Sequence, residues 1–437
     1  MKTIACLTLG CKVNQYDTEA MREAFERLGY ESVPFDGPAD VYLINTCTVT
    51  GTGDQKSMKL IRRVAREHPE AGIIVAGCLA QRDAEKVRLP GVRLILGTRD
   101  RARAAELYER AVKENAVVSA VGAEDGWTFE HLTVQRHEGH TRAVMKIQEG
   151  CDNLCAYCVI PSVRGPVRSM PLNEVAAEAQ ALGEAGYKEL VITGIHLMSY
   201  GRDLGLTLID ALAAIHGAEG VERIRLGSLE PVNVTDEFVS ALLKMPKICP
   251  QFHLSMQSGS AFVLRRMRRR YNPDQFLAAA RRLQNAFPGC ALTTDVIAGF
   301  PGETDEEHRE TLAFIEEIGF ARIHVFPFSP RSGTEAASMP GQVPETVKKA
   351  RAAELIELGD RLERDFVRSL VGTMQRVLFE EEGEGGLAEG YTENYVRVIA
   401  PGTPGEMREV LIHSAEGTTA VGRGISPEDG PKQKVNL

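Results

Sequence analysis

The sequence predicts an α/β protein of several domains: an N-terminal domain on a parallel sheet, a central partial (β/α)6 barrel, and a small all-β barrel at the end of the chain. The chain has 437 residues, more than one hydrophobic core normally supports. Short apolar runs alternate with helix-like segments over residues 1–118 and again over 141–330, which is typical of βα units. From about Val371 the chain is rich in glycine with short strand-like runs, which indicates an all-β module.

The N-terminal domain, predicted over residues 1–118, rests on apolar runs that indicate strands: KTIACLTL, DVYLINTC, GIIVAGC and VRLILG. Segments such as TEAMREAFERLGY and SMKLIRRVAREHP have the apolar spacing of helices. Residues 119–140 have no sustained period and several Gly, Glu and His residues, so we expect a linker there.

The central barrel is predicted over residues 141–368, including a charged helix that trails it. Its strands are indicated by six apolar runs: RAVMKIQ, KELVITG, ERIRLGS, QFHLSMQ, CALTTDVIAGF and ARIHVFPF. A barrel of such units carries its functional residues at the C-terminal ends of the strands. The all-β module is predicted over residues 369–437.

Composition narrows the classes of function. No apolar run approaches the roughly 18 residues of a membrane span, so we expect no membrane partner, and the lack of a secretory signal favours the cytoplasm. In a reducing compartment, nine cysteines favour metal or catalytic roles over disulfides. Because the net charge is -9, a nucleic-acid partner requires a local basic patch.

Two basic segments are candidates for that patch. One is the run RRMRRRY, with five arginines between Arg265 and Arg270, which is either a solvated helix face or a clamp for phosphates and carboxylates. The other is the helical segment SMKLIRRVAR. Contacts to RNA phosphates through either one predict binding that weakens as salt is added.

Cys151, Cys155 and Cys158, here called the barrel triplet, follow the first barrel strand with C-x3-C-x2-C spacing. Three thiolates on one loop can hold three irons of a cubane cluster and leave the fourth iron open for a substrate. Structural zinc normally takes four ligands, and no fourth Cys or His follows at short range, so zinc is the weaker interpretation. Three unrelated buried cysteines are the remaining alternative.

Cys11, Cys47 and Cys78, here called the N-terminal triplet, each close an apolar run. Since the C-terminal ends of parallel strands share one edge of a sheet, these thiols can converge despite their separation in sequence. The alternative is three small buried residues at strand ends. We expect the other three cysteines to serve in packing: Cys6, Cys249 and Cys290.

With both triplets in view, the chain resembles the radical S-adenosylmethionine (SAM) methylthiotransferases over nearly its whole length. Further motifs carry this resemblance: ADVYLINTC, GCLAQR, LGSLEP, HLSMQSGS, RRMRRRY, DVIAGFPGETDEEH, FPFSPRSGT and GYTENYVRV. The resemblance implies an N-terminal methylthiotransferase domain, a radical SAM barrel and a C-terminal TRAM domain. It also implies SAM and two [4Fe-4S] clusters, a radical-generating one on the barrel triplet and a sulfur-delivering one on the N-terminal triplet.

The stretch LGCKVNQYDTE is similar to the branch of this family that modifies N6-threonylcarbamoyladenosine in tRNA, through Lys12, Val13 and Gln15. The resemblance thus implies methylthiolation at C2 of adenosine 37, a tRNA anticodon stem-loop as partner and a separate electron-donor protein. Alternatives that stay open are isopentenyladenosine in tRNA, a ribosomal protein side chain, and a non-catalytic iron-sulfur RNA-binding protein.

The resemblance also places candidate SAM contacts on the barrel loop and at strand ends. Tyr157 is expected to pack on the adenine, and the backbone around Gly194 to bind the methionyl ammonium. The remaining candidates are Ser228, Glu230, Gln257, Ser258, Ile297 and Gly299. In the TRAM-like module, which contains the acidic stretch EEEGEG, Tyr391, Tyr395 and Arg397 are residue types that can stack on bases.

Overall fold

A computed structural model describes residues 1–122, 126–132, 134, 137 and 139–424 of the chain. The end of the predicted C-terminal domain, residues 425–437, and parts of the predicted linker lie outside the described residues. In the part of the chain that is described, no helix is both long and apolar enough to cross a membrane.

The N-terminal domain is a parallel six-stranded sheet with helices on both faces. Its strands are β1 (Thr3–Thr8), β2 (Glu31–Ser32), β3 (Val41–Thr46), β4 (Gly72–Gly77), β5 (Val92–Leu96) and β6 (Val118–Ala120). Its helices are α1 (Lys12–Arg27), α2 (Gly51–Glu67), α3 (Cys78–Arg82) and α4 (Ala104–Lys113). The strand order is β2-β1-β3-β4-β5-β6, and every pairing is parallel.

This strand order changes direction between β1 and β3, so the helices that follow these two strands cover opposite faces. Phe25 of α1 lies in the apolar core on one face, and Ile61 of α2 lies in the core on the other. In open parallel sheets such a reversal leaves a crevice at the C-terminal strand ends, where ligands bind. The loops after β1 and β3 are those that carry Cys11 and Cys47.

The central region confirms the predicted α/β architecture with six parallel strands. They are β7 (Arg142–Glu149), β9 (Glu189–Gly194), β10 (Arg223–Leu226), β11 (Gln251–His253), β12 (Ala291–Ala298) and β13 (Arg322–Pro327), and the short β8 (Arg168–Ser169) runs antiparallel to β7. They form two sheets, ordered β10-β9-β7-β8 and β11-β12-β13. Isolated parallel bridges, such as Ile224 with Ile248, link the two sheets.

Helices alternate with these strands and enclose one large apolar core. They are α5 (Ile160–Arg164), α6 (Leu172–Glu184), α7 (Leu208–His216), α8 (Asp236–Leu243), α9 (Ala261–Arg266), α10 (Pro273–Ala286), α11 (Asp305–Ile318), α12 (Glu335–Ser338) and the trailing α13 (Glu345–Ser369). The C-terminal module is a closed five-stranded barrel, as predicted for an all-β unit. Its strands are β14 (Met374–Glu382), β15 (Leu387–Thr392), β16 (Arg397–Pro401), β17 (Met407–Glu416) and β18 (Thr419–Arg423).

The described part of the predicted linker lies between the N-terminal domain and the central barrel. Leu132 and Val134 are buried in a small apolar core with Tyr16 of α1 and Val144 of β7. Trp127 lies under the Arg168 guanidinium, 4.8 Å from its ring centroid. The segment therefore packs into the contact between the two domains.

Candidate active site at the domain junction

The barrel triplet lies on the loop that follows β7. Gly150 begins this loop with a φ of 73°, and a Cβ atom at that position would stand 1.8 Å from the carbonyl oxygen of Pro166. Only glycine combines this conformation with so close a backbone approach. The tight start turns the chain at the strand end, and the three thiols are close enough to interact electrostatically.

Each sulfur of the barrel triplet accepts one hydrogen bond from an N–H group. The three pairs are Asn153 N–H with Cys151 at 3.4 Å, Ile160 N–H with Cys158 at 3.4 Å, and Arg269 Nη1 with Cys155 at 3.2 Å. Burial raises the pKa of Cys151 to about 11 and that of Cys158 to about 12. A metal centre bound here must therefore displace protons, and N–H donors at the sulfurs suit the thiolates that result.

Glu230 supports this loop from the end of the third parallel strand. Its carboxylate accepts hydrogen bonds from Asn153 at 3.0 Å and from His196 at 2.5 Å, and it forms an ion pair with Arg269 at 3.0 Å. Burial opposes its charge, but His196 and Arg269 outweigh that effect and lower the pKa of Glu230 to about 2. Glu230 is thus a fixed anion that orients Arg269 towards Cys155.

The N-terminal triplet is assembled by strand register. Thr46, the last residue of β3, pairs with Gly77, the last residue of β4, so Cys47 and Cys78 follow at the same level of the sheet. Gly10 has a φ of 106°, and a Cβ atom there would stand 2.9 Å from the Cys47 sulfur, which brings Cys11 next to Cys47. The three thiols are close enough to interact electrostatically.

Arg164, on the helix that follows the barrel triplet, reaches the N-terminal triplet. Its Nε donates to Cys78 Sγ at 3.4 Å, and its Nη1 donates to Glu149 at 2.8 Å and to Asp17 at 3.1 Å. Its Nη2 also donates to the amide oxygen of Asn14. All these side chains are buried, so one guanidinium joins the N-terminal domain, the barrel and a candidate ligand.

Arg164 belongs to a buried charge network across the domain junction. Arg101 and Lys146 contribute two more cations, and Asp17 and Glu149 are the anions that all three contact. Burial alone would raise the carboxyl pKa values, but the three cations hold both below their usual range. Arg101 also pairs with Glu130, so three carboxylates balance the three cations, and Arg164 is the cation beside Cys78, where its charge opposes the larger effect of burial on the thiol pKa.

Both triplets have the donor chemistry of an iron-sulfur site. The three thiols lie on one loop in the barrel triplet and at neighbouring strand ends in the N-terminal triplet, and N–H groups donate to sulfur in both. Burial raises the pKa of Cys47 to about 11 and also raises that of Cys78. A structural zinc normally takes four protein ligands, whereas a cubane cluster can be held by three thiolates with its fourth iron open, so three thiols at each site fit a cluster better than zinc.

Some of the predicted SAM contacts lie at the cavity and others lie beside the barrel triplet. Gly194 and Ser228 line a cavity of about 390 Å³ at the strand ends, together with Cys11 of the N-terminal domain and Tyr395 of the C-terminal barrel. Tyr157 contacts Phe300 edge to face and packs with the partly buried Ile297 beside the barrel triplet.

The other candidates are engaged within the protein. Ser258 is buried and its hydroxyl bonds to Thr311. Gln257 adopts a φ of 68° and exchanges backbone hydrogen bonds with the neighbouring β12. A Cβ atom on Gly299 would meet the side chain of Lys348, so that position is small to admit α13. Of the packing cysteines, Cys249 and Cys290 are buried and Cys6 is half-buried in the N-terminal core.

The five arginines do not form one patch. Arg268 adopts a φ of 57°, and the turn directs Arg269 inward while Arg266 pairs with Glu307 and Arg268 with Glu335. In the C-terminal barrel, Tyr391 and Tyr395 stack on each other, and the guanidiniums of Arg142 and Arg225 lie within 5.1 Å of their rings. Arg397 pairs with Glu389. These aromatic rings hold the C-terminal barrel on the central one, a role that the sequence did not indicate.

Four polar residues of the site were not found from the sequence: Asn14, Asn153, Arg164 and His196. Asn153 lies inside the cysteine loop, and His196 follows the strand end at Gly194, so attention to polar neighbours of the motifs would have found both. Arg164 carries no such signal, because its contacts to Asp17 and Cys78 depend on how two domains meet.

Three segments of the chain match known protein families. Residues 3–97 match the model of an uncharacterized protein family, UPF0004, residues 145–315 that of the radical SAM superfamily, and residues 368–424 that of the TRAM domain. The solved structure of the radical SAM methyltransferase TsrM from Kitasatospora setae aligns with a TM-score of 0.56 at 14% identity, covering 77% of each chain. That likeness shows the fold alone, and the match of residues 145–315 to the radical SAM superfamily defines the class of enzyme, one that uses SAM and a [4Fe-4S] cluster.

Relatives of similar length define the family. The chain is 44% identical to the threonylcarbamoyladenosine tRNA methylthiotransferase MtaB of Bacillus subtilis, covering 92% of this chain and 91% of that protein. It is 38% identical to the protein of the same name from Thermotoga maritima, covering 95% of each. A tRNA-2-methylthio-N(6)-dimethylallyladenosine synthase of Frankia alni is 38% identical over 86% of this chain and 77% of its own length. The chain belongs to the threonylcarbamoyladenosine tRNA methylthiotransferase family.

Proposed function

We propose that this protein transfers a methylthio group to C2 of N6-threonylcarbamoyladenosine at position 37 of tRNA, beside the anticodon. The observation that carries the proposal is the cavity bordered by Cys11, Gly194, Ser228 and Tyr395, because all three domains meet there. A base that enters this cavity reaches the N-terminal triplet and the barrel strand ends together. The names of the relatives support the choice of substrate.

The barrel triplet is proposed to hold the radical-generating cluster. With SAM bound, that cluster supplies a carbon-centred radical, which suits an aromatic C–H bond that is too strong and too weakly acidic for acid-base chemistry. The chain's own residues position the site: Asn153 and Arg269 donate to the sulfurs, and Glu230 fixes both donors. His196 holds Glu230 from the other side.

The N-terminal triplet is proposed to hold a second [4Fe-4S] cluster, from which sulfur is delivered. Cys11 is exposed and lines the cavity, whereas Cys78 is buried against Arg164. The site is thus open on the side of the substrate and anchored on the side of the barrel. A separate electron-donor protein and a cytoplasmic location complete the proposal.

The tRNA backbone is proposed to run along a basic groove beside α2. The groove has a volume of about 510 Å³ and is lined by five cations: Lys59, Arg62, Arg63, Arg66 and Lys86. Arg63 and Arg66 have acidic partners, while among the described residues no ion pair is formed by Lys59, Arg62 or Lys86. Asp54, which also lines the groove, accepts a hydrogen bond from Thr48 in the Cys47 loop and pairs with Arg331, so the groove adjoins that loop.

Nucleoside mass spectrometry tests the proposed reaction. tRNA from cells that lack the gene should contain N6-threonylcarbamoyladenosine without its methylthio form, and a plasmid with the wild-type gene should restore that form. A plasmid with the Cys155→Ala variant serves as the inactive control. Unchanged levels of the methylthio nucleoside in the deletion strain would exclude the proposed substrate.

The variant Cys11→Ala tests the second cluster. We expect anaerobically purified protein to lose about half of its iron and sulfide, because one of two clusters loses a ligand. Cleavage of SAM to 5'-deoxyadenosine should persist, and methylthiolation should be lost. Cys6→Ala, a cysteine of the sheet core outside the triplet, is the matched control and should keep its full iron content. Full iron content in Cys11→Ala would contradict the assignment.

A further inference from the structure

The cavity at the junction of the three domains is rich in basic side chains. They are Lys12, Arg225 and Arg322 with the imidazoles of His253 and His324, and no Asp or Glu is among the described residues that line it. The whole chain has 60 acidic and 51 basic residues, so this lining departs from the average surface. A cavity of this kind favours an anionic ligand.

Only part of that positive charge is balanced by the protein. Arg225 pairs with Glu189 at 2.7 Å, and Arg322 lies 3.7 Å from Glu363. Lys12 is exposed at the cavity, and no ion pair or side-chain hydrogen bond connects it to any other described residue. Lys12 is therefore the cation that a ligand can engage without displacing a partner.

Helix stability does not explain Lys12. It is the first residue of α1, where a cation opposes the helix dipole and destabilises the helix. The first turn of α1 contains no acidic residue that would offset this cost. The charge of Lys12 therefore does not stabilise α1, and it lies at the cavity.

We propose that the cavity binds the carboxylate of the threonyl group on the substrate adenosine, with Lys12 as its ion-pair partner. This inference rests on the proposed function. C2 and the carbon that bears N6 flank N1 in one six-membered ring, so a base that presents C2 to Cys11 carries its N6 substituent close by. Lys12 adjoins Cys11 in sequence and lines the same cavity.

Binding of two RNAs to the anaerobic holoenzyme tests this inference. The RNAs are anticodon stem-loops that differ only in whether adenosine 37 carries the N6-threonylcarbamoyl group, and fluorescence anisotropy gives each affinity. Lys12→Gln should weaken binding of the modified RNA about tenfold or more, the usual effect of losing a hydrogen bond between charged groups, and should leave the unmodified RNA unchanged. Lys12→Arg should restore most of the loss. Lys113→Gln, at an exposed position ending α4, should change neither affinity.

The other outcomes separate the alternatives. Equal weakening for both RNAs would identify Lys12 as a phosphate contact and overturn the inference. A lower affinity for SAM in Lys12→Gln, measured by equilibrium dialysis, would assign Lys12 to the SAM carboxylate and overturn it as well. Wild-type turnover of the modified RNA is measured in parallel. If the wild-type enzyme methylthiolates the modified RNA but Lys12→Gln still binds that RNA in preference to the unmodified one, only the carboxylate assignment fails. If the wild-type enzyme methylthiolates neither RNA, the proposed function itself fails.

Discussion

The two cysteine triplets lie at one junction but are built in different ways. The barrel triplet occupies a single loop, and its three cysteines lie within eight consecutive residues, from Cys151 to Cys158. The N-terminal triplet comes from three strand ends, and the register between β1, β3 and β4 brings its members together. One site is therefore local in sequence, and the other exists only when its sheet is formed.

This difference has consequences for what each triplet requires. The barrel loop is ordered by short contacts to its own sulfurs and by Arg269 and Glu230 of the same barrel. The N-terminal triplet depends on Arg164, which is supplied by the barrel across a domain boundary. Loss of the barrel residue Arg164 should thus affect the N-terminal triplet as well as the barrel's own buried network.

The largest expected effect comes from Cys155→Ala. This variant should lose about half of its iron, all cleavage of SAM and all methylthiolation, because the reaction begins at the barrel triplet. Measurements are iron content, 5'-deoxyadenosine by chromatography, and methylthio product by mass spectrometry. Cys47→Ala is the matched variant in the other triplet: it should also lose about half of its iron and all of the methylthio product, but it should keep cleavage of SAM. Retention of SAM cleavage in Cys155→Ala would break the proposed division of roles.

The same contrast explains how much could be predicted from the sequence. The fold class followed from apolar runs, because buried parallel strands are continuous in sequence, and six parallel strands were found where six runs were predicted. The strand order of the N-terminal sheet could not be read in this way. The edge strand β2, Glu31–Ser32, has no apolar run at all, and α1 begins at Lys12, earlier than its apolar spacing suggested.

Within the site, residues that act locally were predictable and residues that act across domains were not. The cysteines were identified by spacing and by strand-end position. Arg164 gave no signal, and Tyr395 was predicted to stack on bases although it lies against Arg225 of the central barrel, since an arginine or tyrosine in sequence does not reveal which domain it will contact. The arginine run was a candidate for one basic patch. The turn at Arg268 instead points neighbouring arginine side chains in different directions.

Arg164→Leu should sharpen the comparison with the second-largest effect. Removing this cation leaves Asp17 and Glu149 buried with fewer partners, which should lower the free energy of unfolding by about 3 kcal/mol. Iron at the N-terminal triplet should also fall, because Cys78 loses its donor. Urea unfolding of the apoprotein and iron analysis of the reconstituted protein check both effects.

Arg168→Leu provides the control for that variant. Arg168 is also buried near the junction, but it donates to the carbonyl oxygens of Arg164 and Pro166 and, among the described residues, forms no hydrogen bond to a triplet sulfur. It should lose stability while keeping SAM cleavage and the iron of both triplets. An Arg164→Leu protein with wild-type unfolding and full iron would show that the two triplets are independent of the buried network.

The last prediction concerns protein stability alone, at the contact that docks α1, the helix after Cys11, against the barrel. The Tyr16 hydroxyl lies 2.6 Å from the Leu132 carbonyl oxygen and 2.9 Å from the Glu178 carboxyl, and its single proton can be donated to only one of these acceptors at a time. Burial outweighs the opposing effects of Tyr16 and Lys146 and raises the pKa of Glu178 to about 8.

Because the folded state holds a proton that the unfolded chain releases near its usual pKa of about 4.3, the free energy of unfolding should fall as pH rises from about 4.5 to 8. Glu178→Gln keeps a neutral donor, so it should match the wild type near pH 4.5 and be more stable than it at pH 8 by about 2 to 4 kcal/mol. Urea unfolding of the apoproteins at both pH values measures the difference. Glu184→Gln, exposed at the end of α6, should follow the wild-type slope, and the same slope in Glu178→Gln would mean that Glu178 is charged at the junction.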